Sequence, residues 1–314
     1  MRYIKKTTLC FLIISPILFF GSCKVTTRIN YEVLKPSDTV IDIKIRSIDI
    51  VNKYWIDNKN QKSNIDETKF SIDSLFSFQS ISALNHTLRQ SPRFEILRAD
   101  TVPTQRSGSY NNRVELQKVD IQTSVFTEPT KNHYSGLYYG AIKVVYYFEW
   151  AVISETNKIL YQKTYNDTIW VEGSKFTFIN IADLVNFDKA VHYIVNKTAV
   201  SFAESIAPYW RQTYRYLFIN GHNDLIIAAN LAVKGEWEEA ALLWQKHIYG
   251  NNKNLAGKSN FNMAVKAEKE GNLLDALHFI NVAIDKYHFQ PAKEYSNIIK
   301  KRIFEVEAIE KQIP

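Results

Sequence analysis

Cys23 is the residue of this sequence whose surroundings predict a definite chemistry. Its thiol follows the small residues Gly21 and Ser22, which follow an almost unbroken apolar run, Leu9–Phe20, with basic residues before it. A basic head, an apolar run and small residues before a cleavage point are typical of an export signal. The run rises about 18 Å at ~1.5 Å per residue, too little to cross ~30 Å of hydrocarbon. Residues 1–22 are therefore predicted to be a signal peptide that is removed.

The residues around Cys23 resemble the lipobox of Gram-negative lipoproteins, although Phe20 stands where that motif usually has leucine. The resemblance implies that Cys23 carries acyl chains such as palmitate and becomes the first residue of a membrane-anchored chain. The alternative is an ordinary secretory signal in which Cys23 is incidental. Residues 24–27 lack the acidic cluster of a surface-export signal. We therefore expect a lipid anchor on the periplasmic side of the outer membrane.

Gly257-Lys258-Ser259 has the form of the end of a phosphate-binding loop. A complete loop has a glycine five residues earlier, which lets the backbone fold around the phosphates, but that position is Asn252. The segment also lies in an expected connector between two helices, 250–258, and no strand precedes it. The sequence therefore predicts no nucleotide binding.

The histidines are not spaced as metal ligands. His278 and His288 lie ten residues apart, and no His-Glu-x-x-His or paired-cysteine pattern occurs. Three further histidines are isolated in the sequence: His86, His133 and His192. We therefore expect no metal ion and no other cofactor.

Motifs for a catalytic nucleophile are also missing from the sequence. It contains no Gly-x-Ser-x-Gly, and Cys10 leaves with the signal peptide while Cys23 is acylated, so no thiol nucleophile remains. The 32 acidic residues leave carboxylate pairs open. Glu236, Glu238 and Glu239 are explained better as charges that stabilise the start of a helix. The sequence predicts that the chain is not an enzyme.

A tyrosine-rich loop, Tyr134–Gly140, is the most distinctive polar segment outside the signal. Clustered tyrosines between glycines can stack on sugars or contact a protein partner, because each offers an apolar ring and a hydroxyl. The same tyrosines could instead be the buried start of the next strand. Both interpretations stay open at the level of sequence.

Composition indicates a globular chain that does not bind nucleic acid. Hydrophobic residues make up 46% of it and aromatic residues 13%. The formal charge of +7 includes three basic residues of the signal peptide, so the mature chain carries 7 − 3 = +4. Its basic residues are scattered among acids, without the basic stripe that a phosphate backbone requires.

The periodicity of apolar residues predicts a mixed α+β chain. Strand patterns over 40–51, 94–97, 114–126 and the hairpin 141–170 flank a helix at 70–89, and from Asp188 onward every pattern is helical. The expected divisions are a signal peptide at 1–22, a tether at 23–37, an α/β domain at 38–210, and helical repeats at 211–314. The last segment, 294–310, is expected to be a capping helix.

The C-terminal part repeats itself with a period of 36 residues. Small residues, turn glycines and large apolar residues recur in the same order in two helix pairs. The first pair has Ala228, Gly235, Trp237, Ala240 and Trp244, and the second has Ala264, Gly271, Ala276 and Ile280. This order resembles the tetratricopeptide repeat (TPR), whose period is 34 residues. The resemblance implies close helix crossings at the alanines, with Trp237 and Trp244 filling the space beside them.

Two further resemblances concern fold and family. Ser82–Arg98 is similar to the helix-to-strand segment of lipoproteins that activate penicillin-binding proteins or build the curli secretion pore. The overall layout resembles a family of uncharacterised lipoproteins of the Bacteroidota. That resemblance rests on Pro208-Tyr209-Trp210-Arg211 and on Gly-x-Trp-x-x-Ala-x-x-x-Trp starting at Gly235. It implies no biochemical activity.

Taken together, the sequence favours a membrane-anchored periplasmic protein that binds other envelope proteins through its repeats, because stacked helix pairs form surfaces suited to peptides. One alternative is a glycan-active envelope enzyme with its site in the α/β domain. Another is a subunit of an outer-membrane secretion or cell-wall-synthesis assembly, which the Ser82–Arg98 resemblance suggests.

Overall fold

A computed structural model describes residues 25–59, 67–101, 111–177, 179 and 184–313. Cys23 and the predicted signal peptide lie outside these residues, so acylation stays a prediction. The chain divides into two units. Among the described residues, the helical unit contains 25–29 and Tyr214–Ser296, and the sheet unit contains those from Asn30 to Thr213 and from Asn297 onward. Strand-rich sheets come first and helices follow, so the predicted α+β class is confirmed.

Along the chain, the main sheet of the sheet unit starts with strand β2 (Ser47–Val51), followed by helices α1 (Lys53–Asn58) and α2 (Glu67–Gln90) and strand β3 (Glu95–Ala99). β2 and β3 are parallel, and parallel neighbours need a crossover such as these helices supply. The predicted order of strand, long helix and short strand is confirmed.

The strand predicted at 40–51 is shorter in the structure, where only β2 forms, because residues 40–46 form a loop. The buried guanidinium of Arg93 donates hydrogen bonds to the carbonyl groups of Ile41, Asp42 and Ile45 at 3.3, 2.9 and 2.7 Å. These carbonyls face Arg93 and are not free to join a strand ladder. The alternating apolar residues here therefore line a loop and not a strand.

Three long antiparallel strands complete the main sheet: β4 (Arg113–Lys131), β5 (Tyr138–Ile153) and β6 (Ile159–Lys175). The order across this sheet is β3-β2-β4-β5-β6. The predicted hairpin is confirmed as β5 and β6, which turn at Asn157 with a left-handed φ of 62°. Strand β5 lies between β4 and β6, and most of its side chains are buried, which accounts for its dense apolar sequence.

Helices α3 (Phe187–Val195) and α4 (Ser201–Ile206), joined by the π-helical segment Asn196–Val200, cover the sheet together with α2. Phe202 of α4 stacks on Trp150 of β5 at 5.6 Å between ring centroids, and both side chains are fully buried. The helical pattern predicted from Asp188 to Ile206 is confirmed.

The structure corrects the sequence interpretation at two strands, β1 (Thr26–Lys35) and β7 (Tyr209–Phe218), which pair in a two-stranded sheet. Part of the predicted tether at 23–37 is therefore strand, and the chain after Pro208 is not entirely helical. Both segments are rich in β-branched and aromatic residues, which favour strands. Their partners lie far apart in sequence, so no local turn signals the pairing.

Five helices follow β7 in the described chain. They are α5 (Asn223–Lys234), α6 (Trp237–Gln245), α7 (Lys253–Lys269), α8 (Leu273–Asp285) and α9 (Ala292–Glu310). The predicted C-terminal helix is present as α9, and its Ile298 is exposed. Among the described residues, no helix combines the length and apolar character needed to cross a membrane.

Candidate functional site

The helix pairs α5/α6 and α7/α8 place the predicted repeat residues at equivalent positions. The second helices begin at Trp237 and Leu273, separated by the same 36 residues as the sequence repeat. Six side chains at the predicted packing positions have no exposed surface. They are Ala228, Ala240 and Trp244 in the first pair, and Ala264, Ala276 and Ile280 in the second. Small residues thus lie where the helices of each pair approach each other.

The two turn glycines have the same conformation and the same hydrogen bonds. Gly235 and Gly271 have φ of 93° and 82°, in the left-handed region. Each N–H, and the N–H of the next residue, donates to a carbonyl in the last turn of the preceding helix. Space is open around both glycines, so the conformation alone requires glycine.

Trp237 and Trp244 lie together on α6, with ring centroids 6.5 Å apart. Trp244 is fully buried, whereas Trp237 is partly exposed and carries the ammonium of Lys269 over its ring at 5.2 Å. The predicted packing of the two tryptophans beside the alanines stays a prediction.

Gly257-Lys258-Ser259 lies inside α7 and not in a connector, which corrects the predicted loop at 250–258. The side chain of Asn252 accepts a hydrogen bond from the N–H of Leu255 and so starts the helix before this triplet. Gly257 is needed for packing, because a β-carbon there would lie 2.8 Å from the β-carbon of Phe289. The triplet is therefore a helical packing element.

An extended segment, Arg215–Asn220, lies along α7, and we call it the docked segment. Its first anchor is a bidentate ion pair between Arg215 and Glu268, with N–O distances of 2.7 and 2.6 Å. The Tyr295 hydroxyl also donates to Glu268 at 2.6 Å. The buried Glu268 carboxylate is thus held by charged and neutral donors, the arrangement that a buried charge requires.

The second anchor joins Asn262 of α7 to the main chain of Phe218. The Asn262 amide oxygen accepts from the Phe218 N–H at 2.8 Å, and the amide nitrogen donates to the Phe218 carbonyl at 2.9 Å. The Phe218 ring lies 5.0 Å from each of the rings of Phe261 and Phe289 in edge-to-face contacts. Side chains of the helix therefore bind both the backbone and the side chain of an extended residue.

The third anchor joins Lys258 to Asn220. The Lys258 ammonium donates to the Asn220 carbonyl at 3.1 Å and to its side-chain oxygen at 2.9 Å. Burial lowers the pKa of Lys258. In the three anchors, residue numbers increase along the segment (215, 218, 220) while those of their partners in α7 decrease (268, 262, 258). The segment is therefore antiparallel to the helix, and ~3.3 Å per strand residue roughly matches two residues of helix at ~1.5 Å each.

The corresponding face of α5 is apolar and exposed. Ile226 and Ile227 are 44% and 50% exposed. One repeat later, the residues equivalent to the two isoleucines are Asn262 and Met263, which are buried. Exposed Ile226 therefore lies in α5 at the repeat position of Asn262, the residue of α7 that binds the main chain of Phe218.

The structure also brings together three potential metal ligands that sequence spacing missed: His222, Asp224 and His247. His222 is the N-cap residue just before α5, and its Nδ1 accepts the N–H of Asp224 at 3.1 Å. His247, just after α6, contacts the Asp224 carboxylate through Nε2 at 2.8 Å. This hydrogen bond lowers the pKa of Asp224. A whole helix pair separates His222 from His247 in sequence, so only the antiparallel packing of α5 and α6 reveals the cluster.

In the sheet unit, the buried carboxylate of Asp73 in α2 has three polar partners. It accepts hydrogen bonds from the Ile121 N–H at 2.8 Å and from the Tyr54 hydroxyl at 3.3 Å, and Lys69 lies 3.3 Å away. Burial raises the pKa of Asp73, against the opposing effect of the Ile121 N–H and Lys69. These contacts join α1, α2 and β4, so the carboxylate has a clear structural role.

The Tyr134–Gly140 loop turns β4 into β5. Asn132 accepts hydrogen bonds from the N–H groups of Tyr134 and Ser135, and Gly136 has a left-handed φ of 71°. Tyr139 enters β5 but is 43% exposed, so burial does not explain its presence. A surface depression of about 360 Å³ lies beside Tyr134 and Tyr139. Binding by this loop stays a prediction.

Comparison with known proteins gives one family match. Residues 226–301 match the family described as a domain of unknown function (DUF6340). The matched residues contain nearly all of both helix pairs and every predicted repeat position, which is consistent with an uncharacterised family. Among curated proteins, none matches the chain.

Proposed function

We propose that this chain is a lipid-anchored envelope protein that binds partner proteins by taking up extended segments along its helix pairs. The observation that carries the proposal is the docked segment. Side chains of α7 hold an extended stretch of the chain by its backbone at Phe218 and by its side chains at Arg215 and Asn220. A surface of this kind is suited to peptides.

The apolar face of α5 is the proposed docking surface for a partner. Ile226 is the repeat equivalent of Asn262 on the occupied face of α7, but Ile226 and Ile227 are exposed among the described residues. Apolar exposed residues here favour an extended partner segment with apolar side chains, because burying them is worth ~25 cal/mol per Å². We propose an envelope protein as the source of that segment.

The membrane anchor is proposed on the basis of sequence. A single acyl chain holds a protein weakly, whereas the several chains of a mature lipoprotein cysteine attach it stably. Because residues 24–27 lack the acidic cluster of a surface-export signal, the proposed location is the periplasmic face of the outer membrane. Replacing Cys23 by alanine should release the protein or stop its processing. Normal processing and unchanged membrane fractionation of Cys23→Ala, with no fatty-acid label on the parent, would contradict the anchor.

Docking at α5 can be tested by placing a photo-reactive amino acid at Ile227 in intact cells. The matched control places it at Leu274, which is also apolar and exposed but lies on α8. We expect a discrete cross-link from position 227 to an extended segment of an envelope protein, and none from 274. A synthetic peptide of the cross-linked segment should bind the parent protein and not Ile226→Asp.

Equal cross-linking from positions 227 and 274, or equal peptide binding by the parent and Ile226→Asp, would contradict docking at α5. Deleting the repeats is a poorer test. The end of α9 belongs to the sheet unit, where Gln312 makes hydrogen bonds with both main-chain groups of Ser37 at 2.9 and 3.0 Å. A deletion would therefore damage the sheet unit as well.

A further inference from the structure

We propose that His222, Asp224 and His247 form a binding site for a divalent transition-metal cation, with Zn²⁺ as the best fit. The site is independent of the proposed docking function. Among the described residues, this is the one group of three side chains with ligand atoms placed for metal binding, all within 4.8 Å of one another. Two imidazole nitrogens and one carboxylate oxygen are a common ligand set for zinc.

The distances between the ligand atoms are close to those of a tetrahedral zinc site. At zinc–ligand distances of 2.0–2.1 Å, tetrahedral geometry places ligand atoms roughly 3.4 Å apart. The Asp224 carboxylate oxygen lies 2.8 Å from His247 Nε2 and 3.9 Å from His222 Nδ1, on either side of that value. Modest rotations of the three side chains would therefore bring all three atoms to a bound zinc ion.

The surroundings allow a cation to enter. The His222 side chain is 43% exposed, while Asp224 and His247 are partly buried, so one side of the cluster faces solvent. Three protein ligands leave a fourth position for water, as in open zinc sites. Lys246 approaches Asp224 to 4.0 Å, but it is well exposed and can turn away when a cation binds.

Zinc binding exchanges two existing hydrogen bonds for coordinate bonds. The metal takes the place of the proton between His247 Nε2 and Asp224, and that proton moves by exchange with solvent to Nδ1 of the His247 ring, which stays neutral. The metal also takes the Nδ1 lone pair of His222 that now accepts the Asp224 N–H. A purely structural role would use His222 as a helix cap and His247 as a partner for Asp224. The two roles can be separated, because asparagine also caps helices well.

Three substitutions separate metal binding from structure in the full chain, purified in detergent after treatment with a chelator. His222→Asn keeps a helix cap, Asp224→Asn keeps an acceptor for His247, and each removes a zinc ligand. His278→Asn changes an exposed histidine of α8 as the control. Calorimetric titration with zinc chloride should show one ion per chain for the parent and the control. Binding should weaken about tenfold or more in the two ligand variants.

The melting temperature and the absorption of bound cobalt are two further readouts of metal binding. Without zinc, His222→Asn should melt close to the parent, and zinc should raise the melting temperature of the parent and control but not of the ligand variants. Cobalt in place of zinc should give the visible absorption of a four-coordinate site with nitrogen and oxygen ligands. Failure of the parent to bind one zinc ion, or equal binding by His222→Asn, Asp224→Asn and the control, would overturn the site.

Discussion

Asn262 holds the main chain of Phe218 with both polar atoms of its side-chain amide, at 2.8 and 2.9 Å. Asparagine is a poor helix former, and its position in the middle of α7 therefore needs a reason beyond helix propensity. The paired hydrogen bonds supply that reason. They also fix the register of the docked segment, because both bonds go to the main chain of Phe218.

Replacing Asn262 by aspartate should destabilise the protein. The variant loses the donor to the Phe218 carbonyl and places a carboxylate in a fully buried position. We expect the free energy of unfolding to fall by ~1–3 kcal/mol or more. Denaturant unfolding measures the change. The control is Asn254→Asp, at an exposed position in the first turn of α7, which should change stability by less than about 0.5 kcal/mol. Similar midpoints for the two variants would contradict the role of Asn262.

The close helix crossing in the first repeat predicts a large effect at Ala240. This side chain has no exposed surface, so Ala240→Leu overpacks the crossing and should cost ~1–3 kcal/mol. The neighbouring Glu239 is exposed, and Glu239→Gln should stay within about 0.5 kcal/mol. Thermal melts of the full chain compare the two. Small and equal shifts would mean that the 36-residue repeat does not reflect helix packing.

Gly257→Ala sets two physical effects against each other. Alanine favours a helix interior over glycine by ~1 kcal/mol, but its β-carbon would lie 2.8 Å from the Phe289 β-carbon. Overpacking of ~1–3 kcal/mol should prevail, so we expect a less stable protein. Combining Gly257→Ala with Phe289→Gly should cost less than the sum of the single changes, because glycine removes the β-carbon that the alanine would meet. A stabilised Gly257→Ala protein would show that the contact relaxes easily.

The sheet unit should lose stability in acid through Glu305. Burial raises its pKa, but hydrogen bonds from Lys35 and Arg302, both 2.8 Å from its Oε2, outweigh this and hold the pKa below the ordinary 4.5. The lowered pKa in the folded state means that the stabilisation is complete above pH 4.5 and is lost as the pH falls through the folded value.

Denaturant unfolding between pH 6 and pH 3 tests this relationship. The difference in unfolding free energy between the parent and Glu305→Gln should stay constant above pH 4.5 and shrink below it. The exposed Glu307 provides the control, and Glu307→Gln should follow the parent at every pH. A parent and a Glu305→Gln variant that respond to acid identically would contradict the ion pair.

The parts of the fold that the sequence predicts are those with local signals. The β5/β6 hairpin has its turn between adjacent apolar runs, and the helix pairs have glycine at a left-handed turn and alanine at each crossing. Strands β1 and β7 gave no such signal, because their partners are distant in sequence. The docked segment was missed for the same reason, since its contacts with α7 depend on a strand that was expected to be helix.

The candidate sites also depend on tertiary packing, which local sequence signals do not reveal. The equivalence of Ile226 with Asn262 follows from the 36-residue repeat, but exposure of the first and burial of the second depend on tertiary packing. The pairing of His222 with His247 depends on the antiparallel arrangement of α5 and α6. Side chains separated by a helix pair carry no spacing that a motif could capture.

The proposed docking of extended segments on α5 is tested most directly by selection from a displayed library of random short peptides. The full chain in detergent is the target, and a variant with Ile226→Asp and Ile227→Asp is the matched control. Both substituted side chains are exposed, so the variant should keep its fold and melting temperature.

We predict that the parent enriches peptides with apolar residues in an extended pattern, that these peptides bind it in solution, and that the variant binds them much more weakly. Peptides that bind the parent and the variant equally, or no enrichment on the parent at all, would contradict the proposal that the helix pairs bind extended segments of partner proteins.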